Sequence, residues 1–173
     1  MTSIRNVAFG VLLFAIAPLA AFAQTNAEDP AVQKAKQETA VVFDLGRVFG
    51  YLATMEKEAP KLALSRDQLT KLVDVMTSIK STKRLVPKEA ERLLVKIEDT
   101  ILTAAQLAYV DQLAIDKAAT RETGTGANAG TGSGPLTTYI AGGDFNPMLD
   151  TTKTMGKDFA AFYDYAAKKV GKK

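Results

Sequence analysis

Three features of this sequence hold residue types that could do chemistry. The first runs from Thr123-Gly124-Thr125-Gly126 to Gly134-Pro135 and is glycine-rich, like loops that cradle phosphate with backbone N–H groups. No Gly-Lys-Ser/Thr follows it, its spacing is not Gly-x-Gly-x-x-Gly, and no strand pattern leads into it. It reads as a flexible linker over residues 123–135. The second resource is the set of carboxylates and lysines scattered along the chain. Histidine and cysteine are both absent. That removes the Ser-His-Asp and Cys-His nucleophiles, the ligand sets of structural zinc, and disulfide bonding. No acid–base constellation can be drawn from the remaining carboxylates, so the expectation is a protein that is not an enzyme, with no cofactor and no metal.

The third feature occurs twice: Leu64-Ser65-Arg66-Asp67-Gln68-Leu69 and Leu102-Thr103-Ala104-Ala105-Gln106-Leu107. A hydroxyl followed three residues later by an amide makes hydrogen bonds and breaks no covalent ones. With Ser65 or Thr103 at the N-cap of a helix, Gln68 or Gln106 falls at the third helical position, completing a capping box. Leu64 with Leu69, and Leu102 with Leu107, then form the two halves of a hydrophobic staple. The pattern L-[ST]-x-x-Q-L is thus a device for starting a helix. A degenerate copy, Leu85-Val86-Pro87-Lys88-Glu89, lies between them; Val86 offers no capping side chain, but Pro87 suits the first helical position.

The elements that carry these starts are all helical by period. From Pro30 the apolar residues Val41, Leu45, Val48, Leu52 and Met55 share one face, widened by Val42 and Phe49, until Ala59-Pro60 stops the helix. Gly46 and Gly50 stand one turn apart on it and read as tolerated glycines rather than as a close helix contact. Three helices follow the three starts. Their core stripes are Leu69, Leu72, Val73, Met76 and Ile79; then Ala90, Leu93, Leu94, Ile97 and Ile101; then Leu107, Val110, Leu113, Ala114 and Ala118, with Ile115 beside them. Beyond Pro135, Leu136, Tyr139, Ile140, Phe145, Pro147 and Met148 form an irregular apolar stretch. A last helix is predicted from Thr152 to about Lys169, with Met155, Phe159, Phe162, Tyr163, Ala166 and Val170 on its apolar side. The fold class is all-α: a small bundle of four to five helices, with a C-terminal amphipathic helix that docks back across the linker. Phe145, Met148, Phe159, Phe162 and Tyr163 are the candidate docking or partner surface.

Residues 1–23 read as a secretory signal peptide. One basic residue, Arg5, precedes the apolar run from Val7 to Phe22, and Ala21-Phe22-Ala23 forms a cleavage site before Gln24. The run is shorter than the roughly 20 apolar residues that span a bilayer, and Pro18 interrupts it, so no stable membrane span is expected after cleavage. The organisation is then a signal peptide at 1–23, a helical domain at 24–122, the linker at 123–135, and the tail and helix at 136–173. The full chain carries a net charge of +3, and Arg5 leaves with the leader. The basic residues are interspersed with acids, which argues against nucleic acid as a partner.

The paired motifs, in a signal-bearing helical chain, resemble the Spy/CpxP family of periplasmic proteins, with their LTxxQ repeats. The likeness rests on Leu64, Ser65 and Gln68, then on Leu102, Thr103 and Gln106, with Ser65 standing where the family usually has threonine. The chain also resembles exported helical proteins that combine LTxxQ-type helices with an FNP-containing tail, a likeness that implies a fold and no function. The Spy/CpxP resemblance implies an all-α, cradle-shaped dimer that holds unfolded clients without ATP or restrains an envelope-stress sensor. This chain departs from it in lacking a strongly basic, Arg- and Met-rich character and in its short helices after Pro60. The expected function is an exported, non-enzymatic binding protein of the periplasm or the extracellular space, with a protein partner or an unfolded client. The alternative is an envelope structural or adaptor protein that grips its partner through the C-terminal aromatic helix.

Overall fold

A computed structural model of the chain describes residues 29–123 and 133–171. The leader and its cleavage site at Ala23 and Gln24 lie outside the described residues, as does the linker over 124–132.

Each helix begins and ends where local chemistry dictates. Helix α1 (Pro30–Glu58) starts with proline at its first position, and the Asp29 carboxylate accepts the Ala31 N–H at 2.9 Å. It stops at Ala59, the residue before Pro60, and a short 3-10 turn (Pro60–Leu62) redirects the chain. Helix α2 (Arg66–Ser81) starts from Ser65, and α3 (Pro87–Lys96) from Val86-Pro87, without a side-chain cap. The end of α3 widens into a π turn (Ile97–Ile101), closed by the Leu102 N–H on the Ile97 carbonyl at 3.0 Å. Ile97 and Ile101, at the two ends of that turn, are both buried in the core. Helix α4 (Ala104–Thr123) follows at once. Helix α5 (Ser133–Ile140) then occupies ground that reads as linker and irregular chain in the sequence, which gives six helices among the described residues. A 3-10 turn (Pro147–Leu149) leads to α6 (Thr154–Val170). Among the described residues there is no strand, and the all-α class holds.

The core lies where α1, α2 and α6 meet. Contacts between α1 and α6 advance together along both helices, from Gly46 with Met155, through Gly50 with Asp158, to Glu56 with Tyr165, so the two run parallel. Helix α2 runs the other way: Thr77 Oγ1 lies 3.5 Å from Tyr163 Oη, and Arg66 Nη2 donates to the Val170 carbonyl at 3.3 Å. Phe49 of α1 is fully buried and meets Phe159 edge-on at 5.1 Å and Phe162 at 6.4 Å. Leu45, Leu52, Met55, Leu72, Met76 and Ile79 fill in around these rings.

The glycines of α1 correct the sequence reading. A Cβ at Gly46 would run into the Met155 thioether, and one at Gly50 would lie 3.3 Å from Asp158 Oδ2. The missing side chains are what let α6 approach. The stripe of α4 needs a second correction. Val110 is buried and Leu107, Leu113 and Ala114 are half-buried, but Ile115 and Ala118 face solvent, so the distal half of α4 leaves the core.

Gly156 is the tightest point of the α6 entry. A Cβ there would collide with the backbone carbonyl of Asp150, which has no rotamer to move to. Gly156→Ala is expected to cost about 1–3 kcal/mol of stability, read from urea melts, because the turn before α6 must shift as a unit. Gly46→Ala, which meets a flexible methionine, is expected to cost less.

Candidate functional site

The two L-[ST]-x-x-Q motifs were the strongest candidates in the sequence, and the fold brings them together. At the first, Ser65 Oγ accepts the Gln68 N–H at 3.2 Å, and Gln68 Oε1 accepts the Ser65 N–H at 2.9 Å. At the second, Thr103 Oγ1 accepts the Gln106 N–H at 3.3 Å, and Gln106 Oε1 accepts the Thr103 N–H at 2.9 Å. Both are complete capping boxes. Leu64, Leu69 and Leu102 are buried and Leu107 is half-buried, as a staple requires.

The amide nitrogens reach further than a box needs. Gln68 Nε2 donates to Gln106 Oε1 at 2.7 Å and to the Ile101 carbonyl at 2.7 Å. Gln106 Nε2 donates to the Leu62 carbonyl at 3.0 Å and to Gln68 Oε1 at 3.4 Å. The two side chains therefore clasp each other, and each also holds the loop before the other's helix. Gln106 is only 4% exposed. Among the described residues, no buried side-chain nitrogen or oxygen lacks a partner. A buried amide stripped of such partners costs about 1–3 kcal/mol per group, so this site is saturated by the protein itself. The third copy departs from the pattern: Glu89 bonds to Arg92 on its own helix.

The tail is held just as completely. Phe145 and Met148 are buried, and Phe145 packs against Tyr139 at 5.0 Å and Phe43 at 6.1 Å. The Phe145 carbonyl accepts the Leu85 N–H at 2.7 Å. Asn146 Nδ2 donates to the carbonyls of Ile79 at 2.9 Å and Thr82 at 2.7 Å, capping the end of α2, while its Oδ1 accepts the Met148 N–H at 3.2 Å. The Arg84 guanidinium donates to the Tyr139 carbonyl at 3.0 Å and lies 4.8 Å over the Tyr139 ring. Phe159 and Phe162 are buried; Tyr163 is half-buried beneath the Lys80 ammonium, 3.8 Å from its ring. The candidate aromatic surface is thus a docking surface within the chain.

Two further features were not singled out by sequence. On one side Glu98 stands near Asp111, Asp99 and Asp44, and burial first, then these neighbours, raise its pKa above the ordinary carboxylate value. Among the described residues no group of acidic side chains is arranged to hold a metal. On the other side, between the ends of α1 and α6, Tyr165 donates its hydroxyl to Glu56, whose other oxygen accepts the Leu64 N–H. Asn146, Arg84, Tyr165 and Glu56 left one legible signal in the sequence: an asparagine before proline, a side chain suited to capping a turn. No protein-family model, curated protein or solved structure matches the chain.

The Tyr165 phenol is pushed up to about 12, mainly by its hydrogen bond to Glu56 and next by burial. A tyrosine whose folded pKa exceeds its ordinary value of 10.0 favours the fold below that value, and the contribution is lost as pH rises towards 12. Tyr165→Phe is expected to flatten the fall in melting temperature across this alkaline window and to remove the latest-titrating phenolate from an ultraviolet titration. An unchanged alkaline profile would contradict the assignment.

Proposed function

We propose that the chain is an exported, non-enzymatic binding protein that holds non-native polypeptide without nucleotide. The observation that carries this reading is the distal half of α4. Ile115 is 62% exposed on a helix face shared with Asp111 and Ala118, flanked by Asp116 and Lys117. An apolar side chain amid charged neighbours offers non-native polypeptide a weak and unspecific contact. Val95 of α3, at 48% exposure, is a second such side chain.

The adaptor alternative needs the aromatic face of α6 to be free for a partner. Phe159 and Phe162 are spent on α1 in the folded chain, so the capture reading is preferred. Among the described residues no helix is long and apolar enough to cross a membrane, which is compatible with a protein released after cleavage at Ala23.

Light scattering from a chemically denatured model protein, diluted with and without this chain, tests the proposal. Suppression of aggregation at about stoichiometric amounts is expected, and Ile115→Asp should weaken it while leaving the stability within about 0.5 kcal/mol of wild type, as for a surface change. No suppression at severalfold excess would overturn the proposal.

A further inference from the structure

The α1–α6 seam closes tightly at its start, where Met155 covers Gly46, and opens towards its end into a cleft of about 270 Å³. Ala53, Glu56 and Lys57 of α1 form one wall; Ala161, Phe162 and Tyr165 of α6 form the other. Small alanine side chains at 53 and 161 line it, one on each wall.

We propose that this cleft seats one large apolar side chain of a partner polypeptide whose flanking residues are acidic. Its size is the first argument. A volume of about 270 Å³ falls below the range of roughly 300–1,000 Å³ typical of small-molecule and cofactor sites, and suits a single phenylalanine or leucine side chain better than a long acyl chain. The walls are the second argument, since Ala53, Ala161 and Phe162 present carbon to the occupant.

Charge is the third argument, and it selects the flanks. Glu56 is the one carboxylate in the lining, and both of its oxygens are engaged, by the Leu64 N–H and the Tyr165 hydroxyl. The lysines beside the cleft are not held by a carboxylate. Lys57 lines the cleft, and the Lys169 ammonium stands 5.6 Å from the Tyr165 ring centroid. Neither lysine forms a salt bridge among the described residues. Acidic residues on each side of the seated side chain would meet these two ammonium groups.

The inference rests on the reading of the chain as a binding protein, and its test separates the two. The probe is a fluorescein-labelled Gly-Asp-Phe-Asp-Gly peptide, followed by anisotropy with the full chain. Saturable binding is expected, weaker by about tenfold or more when Phe is replaced by Ala, as the burial of one aromatic side chain implies. Binding should also weaken when the two Asp are replaced by Lys. Ala161→Leu, which fills the cleft from an exposed helix position, should abolish binding with the melting temperature retained. Lys57→Glu should weaken it severalfold through charge alone, a check that does not depend on repacking. Equal binding by the Ala161→Leu chain, equal binding of the Lys-flanked peptide, or stronger displacement by octanoate than by unlabelled peptide would overturn the assignment. Absent peptide binding with intact suppression of aggregation overturns the cleft alone; loss of both removes the binding reading as well.

Discussion

The reciprocal amide pair between Gln68 and Gln106 is the constraint around which the bundle is organised. It joins the first turns of α2 and α4, two helix N-termini whose dipoles carry the same partial positive charge and would otherwise resist being brought together. Four acceptor oxygens answer that charge: the hydroxyls of Ser65 and Thr103 and the two amide oxygens. The amide nitrogens then bind the Ile101 and Leu62 carbonyls, fixing the π turn and the 3-10 turn that enter the two helices. Glutamate would complete either capping box alone, yet it has no proton to give across the gap. Only an amide can accept from its own helix and donate to its neighbour at the same time.

From that point the remaining helices fall into place. The turn at Pro60–Leu62 reverses the chain from α1 into α2, and α6 packs on both of them. The return path from α5 to α6 is stitched to the opposite end of α2 by Asn146 and Arg84. The two ends of α2 are therefore held by different devices, one an amide clasp at its start and one an asparagine cap at its finish. This arrangement commits the conspicuous sequence features, both motifs and the aromatic tail, to holding the fold. What is left for a partner is less conspicuous: a solvent-facing isoleucine on α4 and a small cleft where α1 and α6 part.

Much of the fold was legible in the sequence because its signals are local. Proline at 30 and 87, serine at 65 and threonine at 103 place helix starts within a residue or two. The stripe of α6 was readable because a period of 3.6 survives whatever the helix packs on. What stayed hidden depends on distant neighbours. Gly46 looks tolerated until Met155 lies on it. The stripe of α4 looks like core until the described residues leave Ile115 exposed. Helix α5 was missed because Ser133-Gly134-Pro135 resembles linker, although a proline costs nothing in a first helical turn. The candidate site was legible only as capping. The choice of glutamine at both third positions, where glutamate serves equally for a box, was the one sign of a partner across the fold.

A double-mutant cycle on Gln68 and Gln106 tests this account most directly. Stability would be measured by urea denaturation for Gln68→Ala, Gln106→Ala and the double variant. A clasp predicts that the double variant loses less than the sum of the single losses, with a coupling of about 0.5–3 kcal/mol, because either substitution alone already breaks the pair. Strict additivity would mean that the two glutamines act only as independent helix caps, and the organising role assigned to them would be wrong.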